Sequence, residues 1–181
     1  MTAGTGKEGR ESRKVADLQE FWHGQKNIVL LDPNFFACPD WRELAEQLAG
    51  SRAWTDFSQG CDIRTMTAEK AEYLKRMRIK RIHFAWDRYG EKDLVIRKLG
   101  EFRQLTGWGY WKMGVYVLTN FDTSFEQDLE RVCILRDLGY SPYVMIYNKQ
   151  DVPKGHKLRR LQRWVNSRTA FAAVKNFEDF K

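Results

Sequence analysis

Met113-Gly114-Val115-Tyr116-Val117-Leu118-Thr119 is followed by Ser124-Phe125-Glu126-Gln127, by Leu129, Val132, Cys133 and Leu135 running to Leu138-Gly139, and then by Tyr143-Val144-Met145-Ile146-Tyr147. A continuous apolar, β-branched run reads as a strand, and the spacing after Ser124 reads as a capped helix. A second apolar run closes a strand–helix–strand unit. Outward from this stretch the pattern repeats. Strands are expected at Asn27–Leu31, Ala53–Phe57 and Ile79–Ala85 as well as Met113–Thr119 and Tyr143–Tyr147. Their starts recur at the spacing of roughly 30 residues that a right-handed crossover needs. Because most runs are apolar throughout, the strands read as covered on both faces, which points to a parallel sheet.

Helices are expected between them. Asp40-Trp41-Arg42-Glu43 has the capping-box pattern before Leu44, Leu48 and a terminating Gly50. Thr67 caps a helix carrying Ala71, Leu74 and Met77, and Asp93 opens another with Ile96, Leu99 and Phe102 before Gly107. After Asp151, Pro153 and Gly155 make a break. Leu158, Leu161, Trp164 and Val165 then mark a basic amphipathic helix. The chain divides into a flexible basic segment 1–14, a parallel α/β domain over 15–150 and a C-terminal helix and tail over 151–181. An incomplete (β/α) barrel and an open doubly wound sheet both satisfy this order, and both place function at the carboxyl ends of the strands.

With 181 residues, 43% apolar and 14% aromatic, the chain can bury a core as one unit. No stretch has the length and apolarity of a membrane span, and Met1–Lys14 lacks the apolar core of a signal peptide. Cys38, Cys61 and Cys133 are too few and scattered for a disulfide framework, so a cytoplasmic location is expected. The net charge of +7 raises the possibility of an anionic or nucleic-acid partner. The basic runs Lys75–Arg81 and His156–Arg160 read mainly as solvated helix faces. Trp41, Trp54, Phe102 and Trp164 fall at periodic positions and are expected in the core.

The strand ends carry polar residues in succession: Asp32-Pro33-Asn34; Ser58-Gln59-Gly60 with Asp62 and Arg64; Trp86-Asp87; Thr119-Asn120 with Asp122; and Tyr147-Asn148-Lys149. Turn chemistry accounts for any one of these, and Asp62 with Arg64 can simply pair. Five in a row point to a ligand-binding rim. Asp32, Asp62 and Asp87 also offer the paired carboxylates of a hydrolase. His23, His83 and His156 lack metal-ligand spacing, and His83 reads as a satisfied core residue. Gly107, Gly109 and Gly114 do not make a dinucleotide fingerprint.

Lys26–Phe35, Ser58–Arg64, Lys80–Asp87 and Val115–Phe121, in this order, resemble the radical S-adenosylmethionine (radical SAM) proteins over most of residues 15–150. The resemblance implies a partial six-strand barrel of which this chain holds strands two through six. In that family a [4Fe-4S] cluster on Cys-x3-Cys-x2-Cys cleaves S-adenosylmethionine reductively. Neither the first strand nor that motif is in this sequence, and Gly4–Arg10 with Val15–Trp22 look like the segment that comes after the motif in such proteins. The resemblance therefore implies a fragment or truncated form, inactive alone, with the cluster supplied from a missing N-terminal segment and an unknown substrate. It assigns the cofactor S-adenosylmethionine to Asp32, Asn34, Gln59, Asp62, Arg64, Asp87, Thr119, Asn120, Tyr147 and Asn148, with Arg64 suited to a carboxylate. No metal ligand and no catalytic residue is assigned. The alternative is a basic nucleic-acid-binding module without catalysis.

Overall fold

A computed structural model describes residues 12–181, so most of the expected segment 1–14, Gly4–Arg10 included, lies outside the described residues. Five strands form one all-parallel sheet: β1 (Asn27–Leu30), β2 (Trp54–Cys61), β3 (Arg78–Ala85), β4 (Met113–Thr119) and β5 (Ser141–Ile146). Their order across the sheet is their order in the chain. Crossovers of one hand that never reverse direction put every connecting helix on the same face. Those helices are α1 (Trp41–Ser51), α2 (Ala68–Arg76), α3 (Lys92–Thr106) and α4 (Phe125–Asp137). Two more, α5 (Lys157–Asn166) and α6 (Arg168–Ala173), follow β5.

The helix-covered face holds the core, with Phe57, Ile82, Phe84, Val115, Val117 and Val144 buried against Ala71, Leu99, Val132 and Leu161. The opposite face is open, which corrects the expectation of strands covered on both sides. Trp54, Tyr143 and Met145 alternate with buried neighbours and are 48%, 46% and 38% exposed. Winding in one direction is what leaves that face without a helical layer. Trp54 is therefore not a core residue, whereas Trp41, Phe102 and Trp164 are.

Local signals act largely as expected. Thr67 accepts from the Lys70 amide, Ser124 forms a reciprocal capping box with Gln127, and Gly107 ends α3 in the left-handed region. The capping box at Asp40 does not form, because Glu43 pairs with Lys14 and hydrogen-bonds Gln47. The first helix also runs past Gly50 and ends at Arg52, with φ 55°. The α5 helix seals the free edge of β5: Asn166 Oδ1 accepts from the Val144 amide at 2.8 Å, and Gln162 and Asn166 donate to its carbonyl at 2.9 and 3.0 Å. Leu158, Leu161, Trp164 and Val165 thereby join the core of the sheet domain.

Candidate functional site at the carboxyl ends of the strands

The second strand creates the site by leaving its register. Phe57 pairs with Ile82, but the next pair is Cys61 with Phe84, so β2 bulges over Ser58–Gly60. Ser58-Gln59-Gly60, expected just after the second strand, is thus part of it, and Gly60 takes φ 89° to allow the bulge. A side chain there would be strained by that φ and would press on the Tyr116 ring at 3.4 Å. The bulge turns Gln59 outward, next to the turn Ile63–Thr65 that Asp62 opens by accepting from the Arg64 amide at 2.9 Å.

A pocket of about 480 Å³ lies here, and Asn34, Gln59, Asp62, Arg64 and Asp87 all line it, together with Arg88 and Glu91. Five of the ten expected site residues are thereby brought together. The guanidinium of Arg64 grips Asp62 through Nε at 2.9 Å and Nη2 at 3.0 Å, and its Nη1 reaches Glu91 Oε1 at 2.7 Å. The fork expected to face a ligand carboxylate is therefore already occupied. Glu91 is the residue missed; lying 27 positions on, it gives no local signal.

Electrostatics divide the two pocket carboxyls. Burial alone would raise Asp62, but the Arg64 side chain and amide outweigh it and hold the carboxyl below its ordinary value. Burial pushes Asp87 up, with Arg131 as the main opposing charge. Asn34 Oδ1 is shielded from water and has no hydrogen-bond partner, an orphaned acceptor in the pocket wall.

The other five expected residues lie elsewhere. Asp32 Oδ1 accepts from the Asn34 amide at 2.8 Å, shaping the turn, and the residue lines an apolar groove with Phe35 and Leu44. Thr119 is fully buried and donates to the Met145 carbonyl at 3.2 Å. Asn120 and Asn148 both take left-handed backbone, and Asn120 Nδ2 donates to the Tyr147 carbonyl at 3.3 Å. Tyr147 packs edge-on against Phe121. These four make a second cluster at the ends of β4 and β5.

Beneath both clusters lies a charged pair that no sequence pattern signals. Arg131 and Asp128 are fully buried and joined at 2.6 Å. Arg131 Nη1 donates to the Trp86 carbonyl at 2.7 Å and Nη2 to the Leu118 carbonyl at 2.7 Å. Asp128 accepts from the Asn120 amide at 3.2 Å and the Thr123 hydroxyl at 2.7 Å. The pair ties the ends of β3 and β4 together and so sets where Asp87 and Asn120 stand.

The described residues do not fit a [4Fe-4S] cluster. Cys38 and Cys61 are buried, and Cys133 sits on α4. Burial, aided by Asp32, pushes the Cys61 thiol up to about 12, so it is not a thiolate at neutral pH. Among the described residues no three His, Cys, Asp or Glu side chains converge as metal ligands, and no helix is long and apolar enough to cross a membrane. Comparison with protein-family models, curated proteins and solved structures finds no match to this chain.

Proposed function

We propose that the chain is the strand-two-to-six part of a radical SAM partial barrel and that its carboxyl-end pocket binds S-adenosylmethionine. The observation that carries this reading is the pocket itself. Three consecutive parallel strands, wound in one direction, deliver Asn34, Gln59 and Asp87 to one cavity. Its volume suits a nucleoside-sized ligand. Asn34 Oδ1 and the Asp87 carboxyl accept from the ribose hydroxyls and the methionyl ammonium, and Gln59 offers both donor and acceptor. Arg64 acts as a positioning residue, holding Asp62 and Glu91 against the pocket floor. With no cluster-binding set among the described residues, the chain alone binds without cleaving. Reductive cleavage belongs to a segment or partner that brings the cluster.

Isothermal titration calorimetry with S-adenosylmethionine tests this. The wild-type chain is expected to bind, and Asn34→Ala with Asp87→Ala to lose at least roughly tenfold, the equivalent of one lost hydrogen bond to a charged group. No binding heat, or equal affinity in the double variant, overturns the reading. A second reading draws on the opposite shifts of Asp62 and Asp87, the pattern of an acid–base pair in a hydrolase. A bell-shaped pH profile on a hydrolysable substrate, abolished by Asp87→Asn, would favour it.

A further inference from the structure

The opposite end of the sheet carries a different chemistry. Lys26 precedes β1, Arg52 precedes β2, Arg78 opens β3 and Lys112 precedes β4, so each of the first four strands is entered through a cation. Backbone contacts set the first three starts side by side, while β4 begins four residues further along β3, at Ile82. The Trp54 amide donates to the Lys26 carbonyl at 2.9 Å, Trp54 stands in register with Arg78, and the Ile82 amide donates to the Lys112 carbonyl at 2.9 Å. On the helical layer several cations are neutralised, as in Arg42 with Glu69, Arg76 with Glu46 and Lys92 with Glu130, while others such as Lys70, Arg160 and Arg163 have no described carboxylate within 4.0 Å. None of the four strand-start cations has a described carboxylate within 4.0 Å. The five strands hold one carboxylate among them, Asp56, while Asp32, Asp62, Asp87 and Asp122 all follow strand ends. The sheet is thus basic where the strands begin and of mixed charge where they finish, with Arg64, Arg88 and Lys149 among those carboxylates.

Aromatic rings stand among these cations. Trp54 lies on the open face and Trp111 is 62% exposed beside Lys112. The Arg168 guanidinium sits 5.8 Å from the Trp111 ring centre, and Tyr110 packs edge-on to the same indole at 5.3 Å. Burial does not explain two exposed indoles standing near cations that have no described carboxylate partner. A row of positive charge that follows a phosphate backbone, with flat rings that accept bases by stacking, is how single strands are held without sequence readout. Asp56 Oδ1, shielded and without a partner, sits one step inside as an acceptor for a base amino group or a sugar hydroxyl. The geometry points to a docking surface for a single-stranded nucleic acid across the amino ends of the strands, extending onto the open sheet face. Its occupant is an unpaired polynucleotide, because stacking on Trp54 and Trp111 requires bases free of a duplex.

The test is fluorescence anisotropy with labelled oligouridylate and oligothymidylate of about 15 nucleotides, using the full chain. Binding of either is expected, weakening steeply between about 50 and 200 mM salt. Replacing Arg52, Arg78 and Lys112 together by Gln is expected to lower the slope of log affinity against log salt by about 2, at roughly 0.7 per phosphate contact. Trp54→Ala and Trp111→Ala are each expected to cost roughly five- to hundredfold. Quenching of tryptophan fluorescence in the unaltered protein reports the same contact without any variant. Lys75→Gln on α2 and the Asn34→Ala, Asp87→Ala pair serve as controls that bind as wild type. Absence of binding by both oligonucleotides at low salt, equal affinity for duplex, or an unchanged salt slope in the triple variant would overturn the assignment.

Discussion

Replacing Arg131 by Leu removes the one cation from a fully buried site and leaves the Asp128 carboxylate there with only the Asn120 amide and the Thr123 hydroxyl. The carbonyls of Trp86 and Leu118 lose their donor in the same step. Breaking a buried pair by removing one partner costs about 3–5 kcal/mol, because an uncompensated charge remains. That is a large part of the roughly 5–15 kcal/mol that holds a domain together. Urea denaturation followed by circular dichroism reads the loss, with a midpoint lowered by roughly 1–5 M for a slope of about 1–3 kcal/mol per molar. Replacing Asp128 by Leu as well removes the stranded charge, so the double variant is expected to be more stable than Arg131→Leu alone. A cost below about 1 kcal/mol, the value of a surface ion pair, would refute the role given to this pair. So would a double variant less stable than the single one.

Other outcomes concern the open face. Gly114→Ala places a Cβ 2.5 Å from the His83 ring, which is fixed by its stack on Tyr116 at 4.8 Å and by Nδ1 against the Phe57 carbonyl at 3.0 Å. Overpacking of about 1–3 kcal/mol is expected, recovered when His83 is also cut to Ala; a neutral Gly114→Ala would show that the ring moves freely. Burial lowers the His83 pKa against the opposing pull of the Phe57 carbonyl and Asp56. The unfolded chain therefore takes up the proton first, and stability falls as pH drops from about 6.5 toward the lowered native value. His83→Gln is expected to flatten denaturation midpoints across that window, and an unchanged pH slope would contradict the assignment.

Much of this arrangement is legible in the sequence because it is local. The strand periodicity, the caps at Thr67 and Ser124 and the glycine stop at Gly107 each rest on residues within one turn. What escapes depends on distant partners. Gln59 and Gly60 read as lying just past the second strand, yet they belong to β2 because β3 lies alongside to carry the bulge. Trp54 reads as core, since an apolar strand does not reveal which of its faces the winding leaves uncovered. Arg64 reads either as a carboxylate receptor or as a partner of Asp62; Asp62 takes its fork, and Glu91 of the next strand–helix connection takes the remaining Nη1. Asp40 forms no capping box because Lys14 claims Glu43. In each case the local signal is present and a tertiary partner decides between its two uses. The candidate site obeys the same rule: strand order alone locates the rim, while the split into two clusters depends on the β2 bulge and on Arg131.

The carboxyl-end pocket, and not the basic opposite end, is the proposed seat of S-adenosylmethionine. Two-dimensional amide spectra of the 15N-labelled chain titrated with S-adenosylmethionine test this most directly. Shifts are expected to be confined to Asn34, Gln59–Arg64 and Ala85–Glu91, with the strand starts at Trp54, Arg78 and Lys112 unmoved. Shifts centred on those strand starts, or none at saturating ligand, would contradict the proposal.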